Sequence, residues 1–240
     1  MKVIIESKEK ANKLAAEQYV KLLNSKPDCV LGLATGSTPL GLYAELIRLN
    51  KEGIISFSKC SSFNLDEYIG LDGTHDQSYR YFMNTNLFDH VDIRKDHTFV
   101  PSGSCKSDEE AALYDEAIEK AGGVDLQLLG IGHNGHIGFN EPLTPFESKT
   151  HIEKLTDSTR EANKRFFASI DEVPTHAITM GIGTIMKSKI IILVAFGEDK
   201  AEIMKKTIEG KPTISVPASL LQLHTDVTVY LDPEAASLLS

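Results

Sequence analysis

Residues 190–194 read Ile-Ile-Ile-Leu-Val without a polar interruption. A strand can be apolar on every side chain only if both of its faces are covered, and parallel sheets flanked by helices provide that environment. Further apolar runs lie at 3–5, 29–34, 61–65, 126–129, 177–180 and 227–231. Helical patterns separate them at 8–23, 39–51, 77–87, 108–121, 159–167, 199–209 and 218–223. Strands alternating with helices of this length form β-α-β units. The expected fold class is therefore α/β: an open, mostly parallel, doubly wound, Rossmann-like sheet with helices on both faces. The chain has 240 residues and shows no repeat, low-complexity tract or flexible linker, so one domain over 1–240 is expected. The longest stretch without a clear element, 140–158, holds two prolines. Loops that long in compact domains are usually functional, and a lid at about 140–170 is expected; the alternative is a surface excursion with no role.

The formal net charge of −9 argues against nucleic acid as a partner. No segment approaches the ~18 consecutive apolar residues of a membrane span. The apolar run at 3–5 is too short for a signal peptide. Cys29, Cys60 and Cys105 are isolated and odd in number, which suits a reducing cytoplasm and opposes both a disulfide framework and a Cys-x-x-Cys metal site.

The densest chemistry follows the strand candidate 126–129, where the chain reads Gly130-Ile131-Gly132-His133-Asn134-Gly135-His136-Ile137-Gly138-Phe139-Asn140-Glu141-Pro142. Gly130, Gly132 and Gly135 satisfy the dinucleotide fingerprint, but that motif must open a long helix, and Gly138 and Pro142 forbid one here. No nucleotide cofactor is expected. His136 can shuttle a proton at neutral pH, with Glu141 fixing its tautomer. His133 and His136 look like a metal pair, but no helix sets them on one face and no third ligand has recognisable spacing, so no metal is expected. His133 reads as a hydrogen-bonding loop residue.

Two other strand ends carry polar groups. Thr35-Gly36-Ser37-Thr38-Pro39 runs from a strand into a helix. Free backbone N–H groups at such a turn favour an anion, typically phosphate; equally, Ser37 or Thr38 can simply cap the helix. No Gly-Lys-Ser/Thr follows, so the turn is not a nucleoside-triphosphate loop. Ser62-Phe63-Asn64-Leu65 ends in Asp66, Glu67 and Tyr68. Ligands of open α/β sheets bind outside the carboxyl ends of the strands, which places Asp66 on the same rim as a candidate general base, or as a turn-forming aspartate. Tyr68 reads as a packing residue. In so acidic a chain an anion needs added cations, and Arg160, Lys164, Arg165 and Lys200 are the candidates.

Taken together, these segments resemble the glucosamine-6-phosphate deaminase family. The matching pieces are Leu-Ala-Thr-Gly-Ser-Thr-Pro from Leu33, Phe-Asn-Leu-Asp-Glu-Tyr from Phe63 and Gly-Ile-Gly-His-Asn-Gly-His-Ile-Gly-Phe-Asn-Glu-Pro from Gly130. Thr-Arg-Glu-Ala-Asn-Lys-Arg-Phe-Phe from Thr159, Met-Gly-Ile-Gly-Thr-Ile from Met180, Lys200-Ala201 and Leu-Gln-Leu-His from Leu221 match as well. The resemblance implies conversion of glucosamine 6-phosphate to fructose 6-phosphate and ammonia, in amino-sugar catabolism and without a cofactor. It implies that Asp66 carries the C2 proton to C1, that His136 opens the pyranose ring, and that Asn134 and Glu141 support His136. The phosphate would lie on Thr35, Gly36, Ser37 and Thr38 with Arg165 and Lys200.

Two departures from the family pattern shape the expectation. Some members have an aspartate where this chain has Asn134, and an amide cannot balance an imidazolium. Longer members carry a C-terminal extension and are allosteric hexamers activated by N-acetylglucosamine 6-phosphate; here Ser240 follows soon after the last strand, and the segment beside the expected lid reads Lys149-Thr150-His151-Ile152-Glu153. Little or no such activation and a monomer or small homo-oligomer are expected. The competing readings are a hydrolase resembling 6-phosphogluconolactonase, which has a similar fold and Gly-His loop, and a non-catalytic sugar-phosphate sensor. Asp66-Glu67-Tyr68 with Phe139-Asn140-Glu141-Pro142 opposes the first. The pair Asp66 and His136, with a strand beginning at Val3 and no room before it for a DNA-binding module, opposes the second.

Overall fold

The computed structural model describes residues 1–240, the side chain of Phe166 excepted. Among them, seven parallel strands form one sheet in the order β1 (Lys2–Ile5), β10 (Val227–Leu231), β9 (Ile190–Ala195), β6 (Leu126–Leu129), β2 (Val30–Leu33), β3 (Ser61–Asn64) and β5 (Thr98–Phe99). The continuously apolar runs take the middle of this sheet: Ile191, Ile192 and Leu193 are fully buried, as are Leu126, Leu128 and Leu129. Helix α1 (Lys8–Ser25) turns Ala11, Ala15, Ala16, Tyr19 and Leu23 inward, an i, i+4 stripe matched to one sheet face, and packs on α2 (Leu40–Lys51). The longer helix α4 (Asp108–Lys120) opens on Ser107, whose hydroxyl accepts the Glu110 N–H, with Asp108, Glu109 and Glu110 in its first turn to complement the helix dipole.

The strand order fixes where a ligand can enter. From β2 the chain moves to β3 on one side, and from β6 it moves to β9 on the other, while β2 and β6 are hydrogen-bonded neighbours. Their carboxyl ends are therefore a topological switch point, the crevice that open α/β sheets use for binding. The loops at 34–39 and 130–142 both leave from it.

A second, antiparallel sheet of three strands sits beyond that edge, in the order β4 (Asp66–Tyr68), β8 (His176–Thr179) and β7 (His151–Lys154). Here the structure departs from the expected elements. The run at 177–180 is not a strand of the main sheet. The run at 61–65 stops at Leu65, whose N–H donates to Leu33 O at 3.1 Å while its carbonyl accepts Met180 N–H at 2.6 Å. At that residue the chain exchanges one sheet for the other. Strand β7 and the two-residue β5 carry no alternating apolar signal, being short edge strands, and the sequence shows neither. The segment expected as a lid holds β7, α5 (Asp157–Asn163) and a 3₁₀ turn, Lys164–Phe166, in place of the single helix expected at 159–167. The helix expected at 77–87 is α3 (Tyr79–Met83) running into a π-helical turn, Asn84–Phe88, and the one expected at 218–223 is a 3₁₀ helix, Pro217–Leu223. The short α6 (Ile182–Ile185) and α7 (Ala201–Ile208) flank β9.

Candidate active site

Asp66 is the first residue of β4 and pairs in register with Thr179 of β8. It is buried, and burial together with the neighbouring Glu67 carboxylate pushes its pKa up to about 8. The two adjacent carboxylates have separate tasks because successive side chains of a strand point to opposite faces. Glu67 accepts the backbone N–H groups of Tyr68 and Tyr79 at 2.9 Å each and of Arg80 at 3.0 Å, which fastens the start of α3. Tyr68 packs against Tyr79, Phe139 and Phe167, as its packing assignment anticipated.

The glycine-rich loop folds as a series of tight turns, with no helix. Gly132 N–H donates to His136 O at 2.9 Å and Gly135 N–H to Gly132 O at 3.0 Å. The His136 ring lies directly over Gly132: a Cβ there would stand 2.2–2.5 Å from three ring atoms. Gly138, at φ 59°, faces Asp66, since a Cβ on it would stand 3.6 Å from Asp66 Oδ2 and 2.8 Å from Thr179 Oγ1. The loop is pinned there by Phe139 N–H donating to Thr179 Oγ1 at 3.0 Å, and by the Asn140 amide donating to the carbonyls of Ile137 and Met180 at 2.8 Å each. The base candidate and the histidine loop thus meet at residue 138.

His136 Nδ1 stands 3.7 Å from Glu141 Oε2, an ion-pair separation too long for a direct hydrogen bond. Asn134 spans the pair: its amide donates to Glu141 Oε2 at 2.6 Å and its Oδ1 accepts the His136 backbone N–H at 3.1 Å. Glu141 Oε1 accepts from Thr159 at 2.5 Å and Thr156 at 3.2 Å. Burial pushes the Glu141 carboxyl up, but the His136 ring, the Thr159 hydroxyl and the Asn134 amide together outweigh it and hold the pKa at about 2. Glu141 is therefore a fixed anion beside the ring at any neutral pH.

At the end of β2, Gly36 takes φ 96° and the chain turns into α2. The structure corrects one expectation here: neither Ser37 nor Thr38 caps the helix, whose N-cap is Pro39 with no side-chain hydrogen bond. The donors of this turn are not consumed by a side-chain cap, which strengthens the anion reading. The Tyr43 hydroxyl clamps the strand end, donating to Ala34 O at 2.5 Å and receiving Ala34 N–H at 3.2 Å. Burial raises the Tyr43 pKa and the Asp66 charge adds to it, so Asp66 lies within electrostatic reach of the residue preceding Thr35.

Of the basic candidates, Arg160 is spent on the carbonyls of Ile170 and Val173, and Lys164 pairs with Glu161 on the surface. Lys200, in the turn after β9, has a side chain only 14% exposed and lies 3.9 Å from Asp199. Burial pushes its ammonium below the ordinary value; Asp199 opposes that, and the Arg165 guanidinium deepens it. Two cations held close enough to disfavour one another make a ready seat for a dianion. His133 bonds Asp199 at 2.7 Å on the surface, consistent with a loop role. Among the described residues no group of three or more His, Cys, Asp or Glu side chains is gathered as a metal site, and no helix is long and apolar enough to cross a membrane. Thr156 and Thr179 were not singled out from the sequence, and Thr159 and Asn140 were read only as parts of matching segments, without the contacts they make here.

The sequence matches the family model described as glucosamine-6-phosphate isomerases/6-phosphogluconolactonase over residues 6–230. It is 56% identical to a glucosamine-6-phosphate deaminase of Thermoanaerobacter pseudethanolicus across 241 aligned positions, covering 100% of this chain and 95% of that one. The fold superposes on a solved monomeric glucosamine-6-phosphate deaminase with a TM-score of 0.96 at 48% identity, covering 99% and 100% of the two chains. A 6-phosphogluconolactonase from Trypanosoma brucei shares the fold at a TM-score of 0.77 and 19% identity, over 100% and 98%.

Proposed function

The chain belongs to the family of glucosamine-6-phosphate isomerases and 6-phosphogluconolactonases, and from its site we propose that it deaminates and isomerises D-glucosamine 6-phosphate to D-fructose 6-phosphate and ammonia. The observation that carries this reading is the pairing of a buried, high-pKa carboxylate, Asp66, with a histidine held by a permanent anion, His136 beside Glu141. Ester hydrolysis needs a base for water and has no use for a second, buried base. Aldose–ketose isomerisation needs one proton handler at the ring oxygen and another at carbon.

His136 passes a proton between the anomeric hydroxyl and the ring oxygen, and the C1–O5 bond breaks to leave the open-chain aldehyde. Glu141 stabilises the imidazolium that forms on the way. Asp66 removes the C2 proton, the electron pair moves through C1–C2 onto the carbonyl oxygen, which takes a proton from the substrate's C2 ammonium, and the protonated carboxyl returns its proton to C1. The resulting iminium at C2 takes up water and expels ammonia, giving the ketose. An Asp66 pKa of about 8 suits the task, since a base nearer in strength to its carbon acid transfers protons with less penalty. The phosphate is assigned to the N–H groups of Thr35, Gly36, Ser37 and Thr38 with Arg165 and Lys200.

The whole of 1–240 serves as one catalytic domain, with residues 140–170 covering the bound sugar. Similarity to a monomeric enzyme supports action as a monomer or small assembly without strong activation by the acetylated sugar. Three unpaired, buried cysteines support a reducing, cytoplasmic setting. The test is product analysis: ammonia and fructose 6-phosphate in equal amounts support the reading, and turnover of 6-phosphogluconolactone in their place overturns it.

A further inference from the structure

We propose that Thr159 is a positioning residue of the ring-opening pair, fixing the Glu141 carboxylate through a hydrogen bond from its hydroxyl. This rests on the functional reading above.

Glu141 is held by as many protons as its neighbours can give. Glu141 is buried and presents two oxygens. One, Oε2, faces the His136 ring and receives the Asn134 amide. The other, Oε1, is left with two hydroxyls of α5, those of Thr156 and Thr159. A hydroxyl has a single proton to give. Thr156 sits at the N-cap, accepts the Thr159 N–H at 3.2 Å, and divides its one proton among Glu141 Oε1 at 3.2 Å, Thr159 Oγ1 at 3.0 Å and Ser158 Oγ at 3.0 Å. Thr159 stands nearer, at 2.5 Å, is buried, and has the carboxylate as the recipient of its proton. The groups facing the carboxylate are thus His136 and Asn134 from the loop after β6 and the two threonines from α5. Among the described contacts, the threonines fix the oxygen pointing away from the ring.

A carboxylate held at one oxygen can swing about its Cγ–Cδ bond; held at both, it keeps Oε2 at the ring. The same helix runs directly into the 3₁₀ turn that carries Arg165. The piece of chain that orients Glu141 is therefore continuous with the piece proposed to hold the substrate phosphate, so capture of the phosphate and alignment of the ring-opening pair share one support.

The test compares Thr159→Val, which keeps the shape and removes the hydroxyl, with Thr159→Ser, which returns it. The expected result is a roughly tenfold fall in kcat for the valine variant, with KM for glucosamine 6-phosphate within about twofold of the parent, a melting temperature at neutral pH lower by only about 2–4 °C, and recovery of most of both losses by serine. A valine variant with parental kcat, or a serine variant as impaired as valine, overturns the proposal. The second measurement needs no turnover: carbon-13 carboxyl NMR of glutamate-labelled protein, with the Glu141 resonance assigned by Glu141→Gln. Its titration should move up by about one pH unit in Thr159→Val, because a donor to the anion is gone. An unmoved titration refutes the positioning role. Absence of ammonia from the parent protein refutes the functional reading separately.

Discussion

Replacing Asp66 by asparagine should make the protein more stable and nearly inactive at once. Burial and Glu67 lift the Asp66 pKa from 3.8 to about 8. Between those two values the folded protein retains a proton that the unfolded chain has released, so stability declines as pH rises through that window and levels off above it. Each unit is worth ~1.4 kcal/mol, which sets a ceiling of about 4 kcal/mol on the cost at pH 7. An asparagine at this position does not titrate and escapes the cost. The gain is small at about pH 4, where the unfolded chain has only begun to release its proton, and largest at about pH 8. For a chain of this size each kcal/mol moves Tm by about 2–4 °C, so melts at about pH 7.5 should rise by roughly 10 °C and those near pH 4 should barely change. Turnover should fall by about 10²–10⁴, the usual contribution of a positioned base. An equal Tm shift at both pH values, or a loss of stability at neutral pH, would refute the reasoning about burial.

Other consequences are simpler to state. The kcat/KM of the free enzyme should climb with pH towards about 8 as Asp66 ionises; a profile flat from pH 5 to 8 would remove it as the base. Gly132→Ala should displace the His136 ring and lower kcat by about a hundredfold, and parental kcat would show that the ring does not need its place over residue 132. Lys200→Ala should raise KM for the phosphorylated sugar by about 10–100-fold, the worth of a charged hydrogen bond, and an unchanged KM would take Lys200 out of the phosphate seat. Asn134→Asp should set two carboxylates against each other where a 2.6 Å hydrogen bond now stands, raising the Glu141 pKa as read by carbon-13 carboxyl NMR; an unmoved Glu141 titration would argue against the bridge.

The main sheet was legible because its strands are covered on both faces and so carry an unbroken apolar signature. Ile190–Ala195 could hardly be anything else. The second sheet was hidden because its register is settled by partners far along the chain. His151–Lys154 is a mixed polar stretch that becomes a strand only by pairing with His176–Thr179. The switch at Leu65 likewise depends on Met180 and has no local marker. In the candidate site, Asp66, His136 and Glu141 stood out by their chemistry at, or in the loop after, predicted strand ends. Thr156 and Thr159 did not, because a hydroxyl in a helix start reads first as a cap, and only the folded chain shows Thr159 turned onto Glu141. Ser37 and Thr38 erred the other way: the sequence allowed a cap, and the structure uses Pro39.

The most direct test of the account is the fate of the C2 hydrogen. Glucosamine 6-phosphate carrying deuterium at C2 should give ammonia and fructose 6-phosphate in equal amounts, with a primary isotope effect and no deuterium left at C2. The Asp66→Asn protein should leave the label where it was. Ammonia released with the C2–deuterium bond intact, and with an aldose 6-phosphate as the product, would mean direct displacement of the amine and would contradict Asp66 as the base that moves a proton along the sugar.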